Sequence, residues 1–172
     1  MKLPPKVLEA LTAQIKNELQ SHYVYLAMSA HFETTAYKGF ASWMRAQSQE
    51  EYGHAMKLFD YLRSRNAPIR LQTLEAPSAG FGPRPIEIFE ASLAQEETVT
   101  QQISDLYELA QTEKDYATLQ FLTWFLSEQV EEEATVSDLI DRLRLAGDDP
   151  AGLLRLDDEA RRRAASGGGE GN

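Results

Sequence analysis

The residues with the clearest potential for chemistry are glutamates and one histidine that interrupt apolar helical patterns. Glu51 and His54 stand three positions apart, so in a helix both side chains project from one face. This Glu-x-x-His spacing is the one that di-metal carboxylate bundles use. Carboxylate oxygens with a neutral imidazole suit Fe(II), Mn(II) or Zn(II). The chain has no cysteine, which excludes thiolate zinc sites, iron–sulfur clusters and disulfides.

Each of four helical patterns carries such an interruption near its middle. Written in alternating steps of three and four, the seams are apolar towards both ends. Their polar interruptions are Glu18, Glu51 with His54, Glu96, and Gln129 with Glu132. Any one of these glutamates alone would be interpreted as a rim residue on a solvated face. Four converging carboxylates would instead repel one another and lose hydration, and two divalent cations would compensate them. The coincidence predicts a di-metal centre.

Proline placement predicts the elements that must position these residues. Residues 6–67 and 86–149 contain no proline, and each block has a polar break near its middle, at residues 34–39 and 112–115. Each block therefore folds as a helical hairpin. The pattern predicts an all-α fold with four long helices, at about residues 5–34, 40–66, 85–111 and 115–146.

The connection between the second and third helices decides the topology. Residues 67–84 reach ~59 Å when fully extended, and the second helix is ~40 Å long at ~1.5 Å per residue. The connection can therefore cross the whole bundle and let these two helices lie parallel. In that arrangement all the polar interruptions fall within about one helical turn of the same level.

The remainder of the chain completes a single domain. An amphipathic segment at residues 153–163, after Pro150, predicts a short fifth helix. We assign residues 1–147 to the bundle, 148–164 to the fifth helix of the same domain, and 165–172 to a glycine-rich disordered tail.

Composition limits the class of protein. The chain has 172 residues, a formal net charge of −10 and 42% hydrophobic residues, as expected of a soluble globular domain. No apolar run is long enough to cross a bilayer and no signal peptide opens the chain, so we expect a cytoplasmic protein without a membrane partner. The negative charge disfavours nucleic acid as a partner and favours metal cations.

Three motifs resemble those of the non-haem ferritins of bacteria and archaea, and the likeness covers residues 1 to about 164. The motifs are Gln14-Ile15-Lys16-Asn17-Glu18-Leu19 followed by Tyr25, the segment from Gln49 to Met56, and the segment from Phe121 to Glu133. The resemblance implies a ferritin-like four-helix bundle with a long crossover and a short C-terminal fifth helix. It also implies a ferroxidase that oxidises Fe(II) with dioxygen or hydrogen peroxide. The Fe(III) would be stored as a mineral core inside a homo-oligomeric 24-subunit cage.

The resemblance also implies roles for individual residues. The ligands of a first iron would be Glu18, Glu51 and His54, with Glu51 bridging to a second iron. The other ligands of the second iron would be Glu96, Gln129 and Glu132. Tyr25 would lie beside the centre as an electron donor. A third, looser iron site is implied at Glu50, Glu128 and Glu131, with Glu132 shared.

Other interpretations use the same helices. Haem is not expected, because Tyr52 stands where the related bacterioferritins have their methionine ligand. A discrete di-iron or di-manganese oxidase or peroxidase would share the ligands without storing iron. A non-catalytic helical interaction module would instead pair its buried glutamate and histidine structurally. His22 and His31 are expected to be surface or structural residues.

Overall fold

The computed structural model describes residues 2–167, which form five helices and no strand. The helices are α1 (Pro5–Glu33), α2 (Lys38–Ser64), α3 (Pro85–Thr112), α4 (Tyr116–Ala146) and α5 (Pro150–Gly167). The first four begin and end within two residues of the predicted positions, which confirms the predicted all-α bundle. Within the described residues, none of these helices combines the length and apolar character that a membrane span needs.

Local sequence explains where the helices begin and end. Pro5 and Pro85 occupy the first turns of α1 and α3, where a missing N–H costs nothing. The Asp115 carboxylate caps α4 by accepting hydrogen bonds from the hydroxyl of Thr118 at 2.8 Å and from its backbone N–H at 3.4 Å. Gly147 ends α4 with a φ of 57°, a left-handed conformation that glycine adopts without steric cost.

The long crossover is confirmed by the neighbours of α1. This helix is antiparallel to α2, to which a short turn joins it. It is also antiparallel to α3. Lys6, at the start of α1, pairs with Glu113 at the end of α3 at 3.4 Å, whereas Tyr25, later in α1, donates a hydrogen bond to Glu96, earlier in α3. α2 and α3 therefore run parallel, and residues 65–84 connect them along the length of the bundle.

Two apolar clusters fill the two ends of the bundle. One contains Phe32, Phe40 and Phe89, and the other contains Leu11 and Leu58. The buried glutamates of the predicted centre lie between the clusters, as the seams predicted. Close packing on both sides fixes the level at which the polar side chains meet.

α5 is longer than predicted. The Asp149 carboxylate accepts a hydrogen bond from the backbone N–H of Gly152 at 2.8 Å and so caps the helix one residue before Pro150. At the other end, residues 165–167, which we predicted as part of a disordered tail, continue the helix, because Ala164 and Ala165 favour helical backbone. The remainder of that predicted tail, 168–172, lies outside the described residues.

A buried carboxylate of α5 holds the beginning of α2. Asp157, only 2% exposed, accepts hydrogen bonds from the backbone N–H groups of Gly39 at 3.0 Å and Phe40 at 2.8 Å. These donors belong to the first turn of α2 and have no partner within their own helix. Leu153 and Leu156 pack into the same cluster as Phe40. α5 therefore docks through both a cap and apolar contacts.

Candidate di-metal centre

The six polar residues that interrupt the seams are all buried. None is more than 6% exposed. α1 supplies one of them, α2 two, α3 one and α4 two: Glu18, Glu51, His54, Glu96, Gln129 and Glu132. Such burial of four carboxylates with no lysine or arginine among the six is unusual, because charged groups are almost never fully buried unless they are paired or bind a metal.

Glu18, Glu51 and His54 form the tighter part of this cluster. One ligand atom of each lies within 4.8 Å of the others. The His54 Nδ1 atom is 3.5 Å from Glu51 Oε2 and 3.9 Å from Glu18 Oε2. Two ligand atoms about 2.1 Å from one ion in tetrahedral geometry lie ~3.4 Å apart. The observed separations fit that spacing, so these three residues could hold a metal ion.

Several atoms of this group have no hydrogen-bond partner. They are Glu18 Oε2, both carboxylate oxygens of Glu51, and His54 Nδ1. Leaving a buried polar atom unsatisfied costs about 1–3 kcal/mol and more for a charged group. The bundle therefore bears a substantial cost at this one point, and a bound cation would remove it. An interior that merely paired a histidine with glutamates structurally would have satisfied these atoms.

The second part of the cluster lies on α3 and α4. Glu96 accepts a hydrogen bond from the hydroxyl of Tyr25 and another, at 3.2 Å, from Gln129 Nε2. The same amide nitrogen lies 3.2 Å from the hydroxyl of Thr100. Gln129 therefore directs its amide N–H towards Glu96. Tyr25 is fully buried and is in direct contact with the Glu96 carboxylate.

Glu132 connects the interior to an outer group of carboxylates. With His54 and Glu128 it forms a second trio whose ligand atoms lie within 4.8 Å of one another. Glu128 is half-buried, whereas Glu50 and Glu131 are exposed. All four glutamates line one cavity of about 590 Å³ between α2, α4 and the end of α5, which contributes Arg163 to the lining. The residues predicted for a third site therefore share a cavity that adjoins the buried centre.

Burial and mutual repulsion raise the pKa values of the buried carboxyls. The pKa of Glu18 is raised by burial and by Glu51, and that of Glu51 by burial and by Glu96. Burial also raises the pKa of Glu96. Burial, with Glu96 and Glu50 nearby, raises the pKa of Glu132 to about 8. The centre therefore favours positive charge, supplied either by protons or by metal ions.

This electrostatic cost predicts that Glu132→Gln stabilises the metal-free protein at pH 8. The carboxyl has a higher pKa in the folded state than in the unfolded chain, so the folded state binds its proton more tightly. The stabilisation that comes from this proton is complete below the unfolded pKa of about 4.5, and it is lost as the pH rises through about 8. At pH 8 the substitution is expected to raise the free energy of unfolding by on the order of a few kcal/mol.

Urea denaturation of the chelator-treated protein between pH 5 and pH 8 measures this effect. The difference between Glu132→Gln and the unsubstituted protein should grow with pH. Glu131→Gln, at the exposed neighbour, is the matched control and should leave the midpoint unchanged. Destabilisation by Glu132→Gln at pH 8 would contradict the electrostatic account.

Aromatic rings close the centre on the side of α4. The His54 ring packs edge-on against Trp124, with centroids 5.4 Å apart, and against Phe125 at 6.0 Å. These contacts restrict the orientation of the imidazole and exclude water from it. The other two histidines lie elsewhere. His22 contacts Ser48 through Nδ1, and His31 packs on Phe81, so both have structural contacts as expected.

Sequence reasoning missed two glutamines beside the centre. Gln14 donates a hydrogen bond to Glu18 Oε1 at 3.0 Å, and Gln47 donates one to Glu132 Oε2 at 2.8 Å. Gln47 stands on the same helical seam as Glu51, four residues earlier, and Gln14 stands four residues before Glu18. Each glutamine stands one helical turn before a buried glutamate, and this spacing could have indicated a contact with the centre.

Comparisons with known proteins give one consistent result. A family model described as a ferritin-like domain matches residues 8–146. The bacterial non-heme ferritin of Staphylococcus epidermidis is 44% identical over 147 residues, which cover 86% of this chain and 88% of that protein. The bacterial non-heme ferritin of Bacteroides fragilis is 39% identical over 158 residues, which cover 92% of this chain and 98% of that protein.

Solved structures agree. A closed form of the Archaeoglobus fulgidus ferritin, engineered by site-directed mutagenesis, superposes with a TM-score of 0.91 at 44% identity and covers 93% of this chain and 97% of that one. The open-pore ferritin of the same hyperthermophilic archaeon superposes with a TM-score of 0.90 at 43% identity, over 92% of this chain and 96% of that one. The matched family model, the relatives and the fold together establish that this chain belongs to the ferritin family.

Proposed function

We propose that this protein is an iron-storage ferritin with ferroxidase activity. It oxidises Fe(II) with dioxygen at the buried centre of its own bundle and stores the Fe(III) as a mineral inside a cage of 24 copies of itself. The observation that carries the proposal is the set of unpartnered, buried ligand atoms on Glu18, Glu51 and His54. Membership of the ferritin family supports iron as the metal.

In this proposal each residue of the centre has a definite task. Fe(II) is the substrate, and each ion gives up one electron to the oxidant. Glu18 and His54 bind one iron, Glu96 and Glu132 bind the other, and Glu51 lies between the two pairs. The proton that the raised pKa of Glu132, about 8, keeps on that carboxyl at neutral pH leaves when iron binds. Tyr25 holds Glu96 and is placed to donate an electron.

The outer cavity gives the oxidised iron a path away from the centre. Glu132 takes part in the buried cluster and also lines the cavity with Glu50, Glu128 and Glu131. Oxygen ligands at decreasing depth suit a hard cation that must leave after binding. We therefore assign these glutamates to a third, transient iron site.

Assembly into a cage would cover exposed apolar side chains. Leu145 is 88% exposed, Val130 70% and Leu71 68%, and they lie on α4 and on the crossover. Singly exposed apolar residues are ordinary on a protein surface, so the proposed cage rests on membership of the ferritin family.

Size-exclusion chromatography after aerobic loading with excess Fe(II) tests storage directly. Protein and iron absorbance are followed together in the eluate. We expect far more than two iron ions per chain to elute with a particle much larger than a subunit. If iron stops at about two ions per chain on a small oligomer, as one filled di-metal centre allows, the protein is a discrete oxidase. Elution without iron would favour a non-catalytic bundle.

A further inference from the structure

Gln47 is a buried polar residue that the proposed chemistry does not use. It lies on α2 one helical turn before Glu51 and is 7% exposed. Its Nε2 atom donates a hydrogen bond of 2.8 Å to Glu132 Oε2 on α4. Glu132 has no basic partner among the described residues with which it forms a salt bridge. The amide of Gln47 is therefore what orients this carboxylate.

Gln14 makes the equivalent contact on the opposite side of the centre. It is 2% exposed and donates a hydrogen bond of 3.0 Å to Glu18 Oε1. The other oxygen of the same carboxylate, Oε2, has no partner and lies 3.9 Å from His54 Nδ1. With Oε1 held by Gln14, Oε2 stays free to bind a metal ion beside His54. Each half of the centre therefore contains a carboxylate held by a glutamine from the preceding turn or the facing helix: Gln14 holds Glu18, and Gln47 holds Glu132.

The chemistry of an amide suits this task. A lysine or arginine would also orient a carboxylate, but its positive charge would oppose binding of a cation a few ångströms away. An amide donates a hydrogen bond without adding net charge. The hydrogen bond from Gln47 is the one that holds the Glu132 carboxylate among the described side chains. Neighbours that hold ligands in place commonly contribute 10–100-fold to metal affinity.

Gln47 also restricts the direction in which the Glu132 carboxylate points. Glu132 lies between the buried residues Glu96 and His54 on one side and the cavity lined by Glu50 and Glu128 on the other. Gln47 lines that same cavity. A carboxylate in this position can direct its free oxygen inwards or outwards. The hydrogen bond from Gln47 restricts that choice.

We propose that Gln47 and Gln14 are positioning residues, each specific for one of the two metal positions. Gln47 orients Glu132 for the metal ion bound with Glu96, and Gln14 orients Glu18 for the metal ion bound with His54. The inference rests on the proposed di-metal function and adds that each glutamine serves a different metal position. Neither glutamine touches the metal in this account.

Titration of the metal-free protein with Co(II) tests the proposal, because visible absorption of bound Co(II) reports coordination without any turnover. The unsubstituted protein should bind two Co(II) ions per chain in two resolvable steps. In Gln47→Met, which keeps the length of the side chain but has no N–H, the step assigned to Glu132 should weaken 10–100-fold and its absorption band should change. The other step should remain. Gln14→Met should show the reverse pattern.

Gln101→Met is the matched control. Gln101 donates a hydrogen bond of 2.7 Å to Asp105 on the exposed face of α3, so the substitution removes the same type of bond from a solvent-exposed position. Both titration steps should match the unsubstituted protein. Gln47→Asn is a second variant that keeps an amide but is one methylene too short to reach Glu132, and it should reproduce the loss. Far-UV circular dichroism verifies that each variant is folded.

Three results would overturn the inference. Two unchanged steps in folded Gln47→Met or Gln47→Asn would show that the hydrogen bond does not position a ligand. Equal weakening of both steps in Gln47→Met and in Gln14→Met would show a general structural effect in place of specific positioning. Binding of fewer than two Co(II) ions by the unsubstituted protein would contradict the proposed function itself, and the inference with it.

Discussion

Replacing Glu51 and His54 together by alanine is expected to lower the initial rate of Fe(II) oxidation at least ~100-fold, since even residues that merely hold a ligand contribute 10–100-fold to metal affinity. Glu51 lies between the two proposed metal positions, and both of its oxygens are buried without a partner. His54 supplies the imidazole that is common to both groups of possible ligands. The double substitution therefore affects both halves of the centre.

Helix content should survive this substitution. The two side chains lie between the apolar clusters and belong to neither, and removing Glu51 also removes a source of repulsion for Glu18. Stopped-flow absorbance of Fe(III) formation measures the rate, and far-UV circular dichroism measures the helix content. The matched control is His31→Ala with Glu33→Ala, which removes the same residue types near the end of α1. An unchanged rate in the Glu51 and His54 variant would show that oxidation occurs elsewhere.

The bundle and its crossover could be predicted because they depend on signals spread along the whole sequence. Prolines bound the helical blocks, and the length of residues 67–84 permits a crossover. The level of the centre follows from the same periodicity, because apolar residues continue on both sides of each glutamate. The burial of Glu18, Glu51 and Glu96 is therefore a consequence of helix geometry alone. Their roles as iron ligands stay a prediction.

Contacts between distant helices could not be predicted in the same way. The hydrogen bond between Gln47 and Glu132 joins residues that are 85 positions apart, and it depends on side-chain rotamers that no periodicity encodes. Gln47 occupied the correct seam, yet a polar residue there is compatible with a ligand, a positioning residue or a solvated rim. The bond between Asp157 and the beginning of α2 is similar. Nothing near Asp157 in the sequence indicates its partner.

Gly39→Ala is expected to detach α5 from the bundle and to lower the free energy of unfolding by about 2–4 kcal/mol, the cost of losing charge-assisted hydrogen bonds in a buried contact. A Cβ atom at residue 39 would lie 1.8 Å from the backbone oxygen of Asp157 and 2.5 Å from its carbonyl carbon. Backbone atoms cannot rotate away, so α5 itself must move. Asp157 would then lose its hydrogen bonds to Gly39 and Phe40.

Gly53→Ala provides a matched control in the same helix, and we expect it to change the free energy of unfolding in the opposite direction. A Cβ atom at residue 53 would meet nothing within 4 Å, so the substitution should stabilise α2 by about 0.5–1 kcal/mol through reduced backbone entropy of the unfolded chain. Urea denaturation of the metal-free protein measures both changes.

Trypsin reports the detachment, because Arg155, Arg161 and Arg162 lie on α5 and a docked helix resists cleavage. If Gly39→Ala were as stable and as resistant as Gly53→Ala, Asp157 would not be what holds α5 in place. The fifth helix would then depend on Leu153, Leu156 and Ala160 alone.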